Sequence, residues 1–236
     1  MSRYYSLILL YITLISCNKN CETYNSERLS FGIDVSHYQD DKTQINWHKV
    51  KKNNNPKIDF VYVRTTMGKN GIDNSFNHNI QELKKLGITF GIYHYFRPNE
   101  SAIDQFKHFK KHNSIFGKLP PAIDVEENSS FGTKYLKKEL IIFLNLIEQE
   151  YNIKPIIYAP QKFYNLYLWK DFQKYDFWIA RQHGINESPN NNKTGKKPNL
   201  LGFKCPIIWQ YSGTGEINGI ESKVDINITS KAIWNY

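Results

Sequence analysis

The sequence is poor in cysteine, with three in 236 residues. Cys17, Cys21 and Cys205 form neither a C-x-x-C pair nor a zinc-ligand spacing, which argues against a thiol nucleophile and a structural zinc site. If Cys17 is modified, Cys21 and Cys205 remain to pair in an oxidising compartment, but spacing alone does not bring them together. No internal repeat is evident, which argues against a stacked-repeat architecture. Arginine-rich stripes and nucleic-acid signatures are also missing. The formal charge of +9 rests on dispersed lysines, and no nucleic-acid partner is expected. His37 follows Asp34 by three positions, yet no metal-ligand spacing is complete, so neither a metal nor a cofactor is expected.

Long apolar runs are scarce as well. The one candidate, residues 5–15, is too short to cross a bilayer comfortably and follows a positive Arg3, the arrangement of a secretory signal. It ends Leu14-Ile15-Ser16-Cys17, which resembles a bacterial lipobox. That resemblance implies cleavage before Cys17 and a diacylglyceryl thioether on its sulfur. Ordinary signal cleavage near Ser16 is the competing reading. The expected organisation is a signal peptide over 1–16, a tether over 17–29 and one catalytic barrel over 30–236. Residues 186–200 are polar, basic and Gly/Pro-bearing, and are expected to form an exposed loop.

What the chain does have is a regular alternation of short apolar runs and longer amphipathic ones. Strands are predicted over 31–36, 58–65, 88–95, 122–125, 155–159, 177–180, 207–211 and 224–226. Helices are predicted over 47–52, 77–86, 101–112 and 133–150, with a broken one over 161–174. Ser101 is a candidate N-cap and Gly87 a natural C-terminal stop. The 133–150 segment places Leu136, Leu140, Phe143, Leu144 and Ile147 on one stripe. Alternation of this kind predicts a parallel sheet, and eight strands with few helices in the last third predict an irregular single-domain α/β barrel. In such barrels the site lies at the carboxyl ends of the strands.

Carboxylates recur where those strands end. In Pro121-Ala122-Ile123-Asp124-Val125-Glu126, Ile123 and Val125 read as core-facing. Asp124 and Glu126 then share the opposite face, about 7 Å apart along a strand. Two carboxylates so placed in a dry cleft cannot both ionise cheaply, so one holds its proton, as a glycosidase requires. Alone, the pattern equally fits a strand with a wet polar face. Asp34 and Asp225 sit on two further strands, and barrel closure would gather all four acids at one mouth. The 15% aromatic content suits a sugar-binding cleft or a large core.

Seven segments, in order, resemble the motifs of glycoside hydrolase family 25, the Chalaropsis-type lysozymes or N-acetylmuramidases. They are FGIDVSHYQ (31–39), GIYHYF (91–96), PAIDVE (121–126), IIY (156–158), FWIA (177–180), IWQYS (208–212) and VDIN (224–227). The resemblance implies an irregular β/α barrel that cuts the β-1,4 bond from N-acetylmuramic acid to N-acetylglucosamine in peptidoglycan. It puts Glu126 in the general-acid position and Asp124 in that of its partner, with Asp34 and Asp225 as the remaining acids of the cleft. Substrate contacts are expected from Tyr62, Tyr93, His94, Tyr158, Trp209, Gln210 and Tyr211; for His94 and the aromatics, core packing is the alternative. The expected partners are peptidoglycan glycan strands and a membrane reached through Cys17, with the protein itself a monomer in the cell envelope or at the cell surface. One departure stands out: the second strand of the family usually ends Lys-Ala-Ser/Thr-Glu-Gly, and here it ends Arg64-Thr65-Thr66-Met67-Gly68. Three alternatives remain open at this level: a chitinase-like barrel, a polysaccharide deacetylase using Asp34 and His37, and a catalytically impaired glycan-binding protein.

Overall fold

A computed structural model describes residues 29–113, 116–182, 197–203, 205–229 and 233. Cys17, Cys21, the expected signal and lipobox, and nearly all of the expected tether lie outside the described residues. So does most of the 186–200 insert. Cys205 is disulfide-bonded, to a partner outside the described residues.

Among the described residues nine strands follow in order: β1 (Ser30–Val35), β2 (Ile58–Met67), β3 (Gly71–Ile72), β4 (Thr89–Tyr95), β5 (Ala122–Asp124), β6 (Ile156–Pro160), β7 (Phe177–Ala180), β8 (Ile208–Gly215) and β9 (Val224–Thr229). All but β3 form a closed barrel in the circular order β1, β2, β4, β5, β6, β7, β8, β9. Neighbours from β1 to β8 run parallel. The short β3 folds back on the end of β2 as a hairpin.

The eight-stranded barrel follows the sequence pattern, but the expectation of an all-parallel sheet does not hold. β9 runs antiparallel to both β8 and β1. The physical reason is the short connection over residues 216–223, because a parallel return needs a crossover of a dozen or more residues.

Among the described residues six α-helices accompany the strands: α1 (His37–Asp40), α2 (Trp47–Lys51), α3 (Phe76–Leu86), α4 (Ala102–His112), α5 (Thr133–Tyr151) and α6 (Gln161–Phe163), the last continuing as a π-helical turn over Tyr164–Leu168. Ser101 caps α4 by accepting from the Asp104 N–H, as its position suggested. Gly87 ends α3 at φ +65°, a left-handed conformation that costs glycine little. Among the described residues no helix is long and apolar enough to cross a membrane.

Strand alternation sorts the core into two layers. Phe60, Tyr62, Tyr93, Ala122, Tyr158 and Trp178 fill the barrel interior. Their chain neighbours Val61, Val63, Ile92, Ile123, Ile157 and Ile179 face the helices. Against that outer layer lies the α5 stripe of Leu136, Leu140, Phe143, Leu144 and Ile147, fully buried. Each such side chain contributes roughly 1.5–3 kcal/mol by leaving water. The aromatic plug makes the barrel a solid support, and the cleft sits on top of it.

Candidate active site

The alternation that packs the core also aims the acids. Ile33 and Val35 turn outward from β1, so Asp34 faces the barrel axis. Ile123 and Val125 turn outward around β5, leaving Asp124 inward. Asp225 is the second residue of β9, and because β9 is antiparallel its first residues meet the last residues of β1, where Asp34 pairs with Asp225. Glu126 lies two residues past Asp124, at the exposed rim. All four line one cleft of about 350 Å³ at the carboxyl ends of the parallel strands. The four expected acids are therefore brought together.

Asp34 is held by a buried network. Its Oδ2 accepts from Asn227 Nδ2 at 2.7 Å and from Gln210 Nε2 at 3.1 Å. Trp178 Nε1 donates to Asn227 Oδ1 at 2.7 Å, and the Tyr158 hydroxyl donates to Gln210 Oε1 at 3.0 Å. Burial pushes the Asp34 pKa well above the usual carboxylate range, and Asp225 pushes it further. The hydrogen bonds from Asn227 and Gln210 partly oppose this. Burial, then Glu126, lifts Asp225 to about 6.

Asp124 and Glu126 behave as a pair. Burial raises Asp124 strongly, followed by the Glu126 charge and by hydrogen bonding to Glu126; Arg64 opposes. Glu126 is also raised, first by desolvation of its carboxyl. Hydrogen bonding to Asp124 pulls it down, Glu127 pushes it up, and Tyr158 pulls it down again. Glu126 as a residue is open to solvent, so its shift is the smaller of the two. The two carboxyls share their last proton, and the pair holds it above the usual carboxylate range. Asp124 Oδ1 is buried and has no hydrogen-bond partner.

Strand β2, between β1 and β4, brings a cation into the same cleft. Arg64, 7% exposed, points from β2 into the cleft lining. Its Nε donates to Asp73 Oδ2 at 2.9 Å. Its Nη2 meets His37 Nδ1, and the same ring nitrogen lies 3.4 Å from Asp73 Oδ2. Asp73, 2% exposed, also accepts from the backbone N–H groups of His37 and Ser75. His37 is thereby turned to Arg64 and Asp73, not to Asp34 as a deacetylase pairing would require.

The expected substrate contacts divide. Tyr93, Tyr158 and Gln210 line the cleft, although Gln210 is buried and works as a buttress of Asp34. Four others are corrected. Tyr62 lies in the barrel interior, fully buried, and donates to Pro120 O at 3.1 Å. His94 faces α4 and α5, stacked on Phe143 at 4.8 Å, with its ring nitrogens on Thr66 Oγ1 and Gln105 Oε1. Burial drives its pKa down to about 3, so it is neutral. Trp209 and Tyr211 belong to the outer layer, with Trp209 Nε1 donating to Arg181 O. Reading the alternation phase from Tyr93 inward would have put His94 outward. Trp178, Tyr38, Tyr95 and Arg97 line the cleft and were missed. Trp178 was accessible to the same argument, since Phe177 and Ile179 point outward. Among the described residues no cluster of three or more His, Cys, Asp or Glu side chains could hold a metal.

Glycosyl hydrolases family 25 matches residues 33–220, which is most of the chain and spans the barrel from β1 to the loop before β9. The chain belongs to glycosyl hydrolase family 25. The family 25 chain is 30% identical to Lysozyme M1 of Streptomyces globisporus over 210 residues, covering 83% of this chain and 66% of that protein. It is 32% identical over 200 residues to YegX of Escherichia coli K12, an uncharacterised protein, covering 84% and 68%. Among solved structures, a family 25 glycosyl hydrolase from Bacillus anthracis superposes with a TM-score of 0.73 at 26% identity, covering 87% of this chain and 90% of that one. A bacterial lysozyme from Streptomyces coelicolor gives 0.70 at 28% identity, covering 84% and 90%. The irregular β/α barrel and its glycosidase class are those of this family.

Proposed function

We propose that this family 25 glycosidase is a muramidase, cutting the β-1,4 bond from N-acetylmuramic acid to N-acetylglucosamine. The observation that carries the reading is Asp124 Oδ1, a buried and unpaired acceptor on a carboxyl that shares a proton with Glu126. A buried acceptor left without a donor is costly, and it invites one from a ligand. The 2-acetamido N–H of the sugar is such a donor.

The mechanism follows. The acetamido N–H binds Asp124 and favours its ionised form. The pair's proton then moves to Glu126, which faces the open rim. Glu126 protonates the glycosidic oxygen as the C1–O bond breaks, and the acetamido oxygen attacks C1 to give a cyclic intermediate. Such substrate-assisted hydrolysis is a known exception to the two-carboxylate scheme. Water then opens the ring, giving its proton to the Glu126 carboxylate. Asp34 and Asp225 keep negative potential beneath the developing positive charge.

Two further parts of the reading concern residues 1–29. The Leu14–Cys17 sequence supports export and acylation of Cys17. A monomer tethered in the envelope is the form proposed.

Mass spectrometry of digests of purified peptidoglycan tests the activity. New reducing-end N-acetylmuramic acid is expected. New reducing-end N-acetylglucosamine alone, or no new ends, overturns it. Product anomers test the route: retention is expected, and inversion replaces the cyclic intermediate by direct water attack.

A further inference from the structure

One wall of the cleft carries two cations beside the four acids, and a thioether stands where a carboxylate was expected. Met67 stands where the family usually carries Glu, and it lines the cleft together with Arg64 and Arg97. Arg64 is more than nine-tenths buried, and its Nε and Nη2 are committed to Asp73 and His37. Among the described residues its Nη1 has no partner. Arg97 uses only Nη1, toward Asn70 Oδ1 at 3.3 Å and Glu100 Oε1 at 3.4 Å. Among the described residues its Nε and Nη2 have none.

The geometry of this wall is built, not incidental. Asp73 fixes Arg64 from below, and the Tyr38 ring lies 5.2 Å from its guanidinium carbon. Gly68, at φ +54°, has no Cβ to obstruct Arg97: one placed there would meet Arg97 Cδ at 2.5 Å. Glu100 anchors the same turn by accepting from the Lys69 N–H at 2.6 Å. Met67 adds no anion beyond the Asp73 and Glu100 carboxylates that hold the two guanidinium groups, and its thioether supplies apolar surface beside them.

We propose that Arg64, Arg97 and Met67 form a subsite for a carboxylate carried on the glycan, one that selects anionic strands. This rests on the glycan-hydrolase reading above. An arginine fork suits a carboxylate, and Met67 with the exposed face of Tyr38 suits the methyl group that adjoins it in a lactyl ether. The four acids of the same cleft disfavour that substituent beside themselves, so the two arginines are where it is seated. Two sources offer this chemistry: the lactyl group of peptide-free N-acetylmuramic acid, and an acidic residue of the peptide stem.

The test uses the full chain carrying Glu126→Gln, so that binding is read without turnover. Calorimetry compares a peptide-free N-acetylglucosamine–N-acetylmuramic acid tetramer with the same tetramer after reduction of its carboxylates to alcohols, and with a peptide-bearing tetramer. A charge-assisted contact at a half-open site predicts about tenfold tighter binding of a carboxylate ligand than of the reduced one. Adding Arg97→Gln or Met67→Glu should bring that ratio below about three, with unchanged melting. Preference for the peptide-free tetramer identifies the lactyl group, and preference for the peptide-bearing one identifies the stem. Equal binding of all three, binding of none, or a preference that survives both substitutions overturns the subsite. Hydrolysis by the wild-type chain is scored separately, so loss of the muramidase reading is not confused with loss of this one.

Discussion

Asp34 and Asp225 are directly paired across β1 and β9, two carboxylates at one rung of an antiparallel ladder. Like charges placed so are destabilising, and burial adds to the cost. The arrangement persists because the barrel aims both side chains at the cleft.

Relief of that cost is measurable. The raised Asp225 pKa, about 6 in the folded chain against 3.8, means the folded state holds the proton more tightly than the unfolded one. Stability therefore falls as pH rises from about 4 to 6 and stays reduced above. Asp225→Asn should raise stability by ~1–2 kcal/mol at neutral pH, and by little below pH 4. Denaturant melts at pH 4 and pH 7 check this, and a gain equal at both would refute it.

Glu126→Gln should lower hydrolysis about 10²–10⁴-fold, since the amide keeps the shape and gives no acidic proton. Its exposed position predicts an unchanged melting temperature. Turnover above a tenth of wild type in a normally folded variant removes Glu126 from the acid role.

The pair's last proton is held well above the usual carboxylate range by burial of Asp124, then by the neighbouring Glu126 charge. In Asp124→Asn that proton has only Glu126 to hold it, where the upward shift is smaller. The basic limb of the pH–rate profile should move to lower pH, and kcat should drop on the order of a hundredfold. An unmoved limb at a wild-type rate would show that the two acids do not share a proton. Glu148→Gln, on α5, serves as the control and should leave both unchanged.

Asp73 accepts from Arg64 Nε and two backbone N–H groups. Asp73→Ala strands the Arg64 charge inside the wall, so a loss of ~3–5 kcal/mol is expected. Urea titration measures it, and a loss under ~1 kcal/mol would mean that Arg64 finds another partner.

Cys17→Ser should abolish incorporation of a clickable palmitate analogue in cells and release the protein from membranes. Equal labelling of wild type and variant, or none in either, sinks the lipobox reading.

Much of this was legible in the sequence, because it depends on period. Side chains alternating about Ile33, Ile123 and Val125 were enough to put Asp34, Asp124 and Glu126 on one side, and the α5 stripe was readable at 3.6-residue spacing. The failures share a cause. Tyr62, His94, Trp209 and Tyr211 are aromatics on the right strands, but proximity to a strand end does not say which face or depth a side chain takes. The Asp73–Arg64–His37 contacts join three separate segments, so no local pattern announces them. The antiparallel β9 depended on the length of one loop rather than on anything in the strand itself.

The pairing of Ser30 with Thr229 places the start of β1 and the end of β9 side by side at the pole of the barrel away from the four acids. Ser30 and Thr229 therefore both sit at the back of the barrel. A leash joined to the chain at Ser30 would hold the molecule from behind, and a long polymer lying across the front would meet no part of the join.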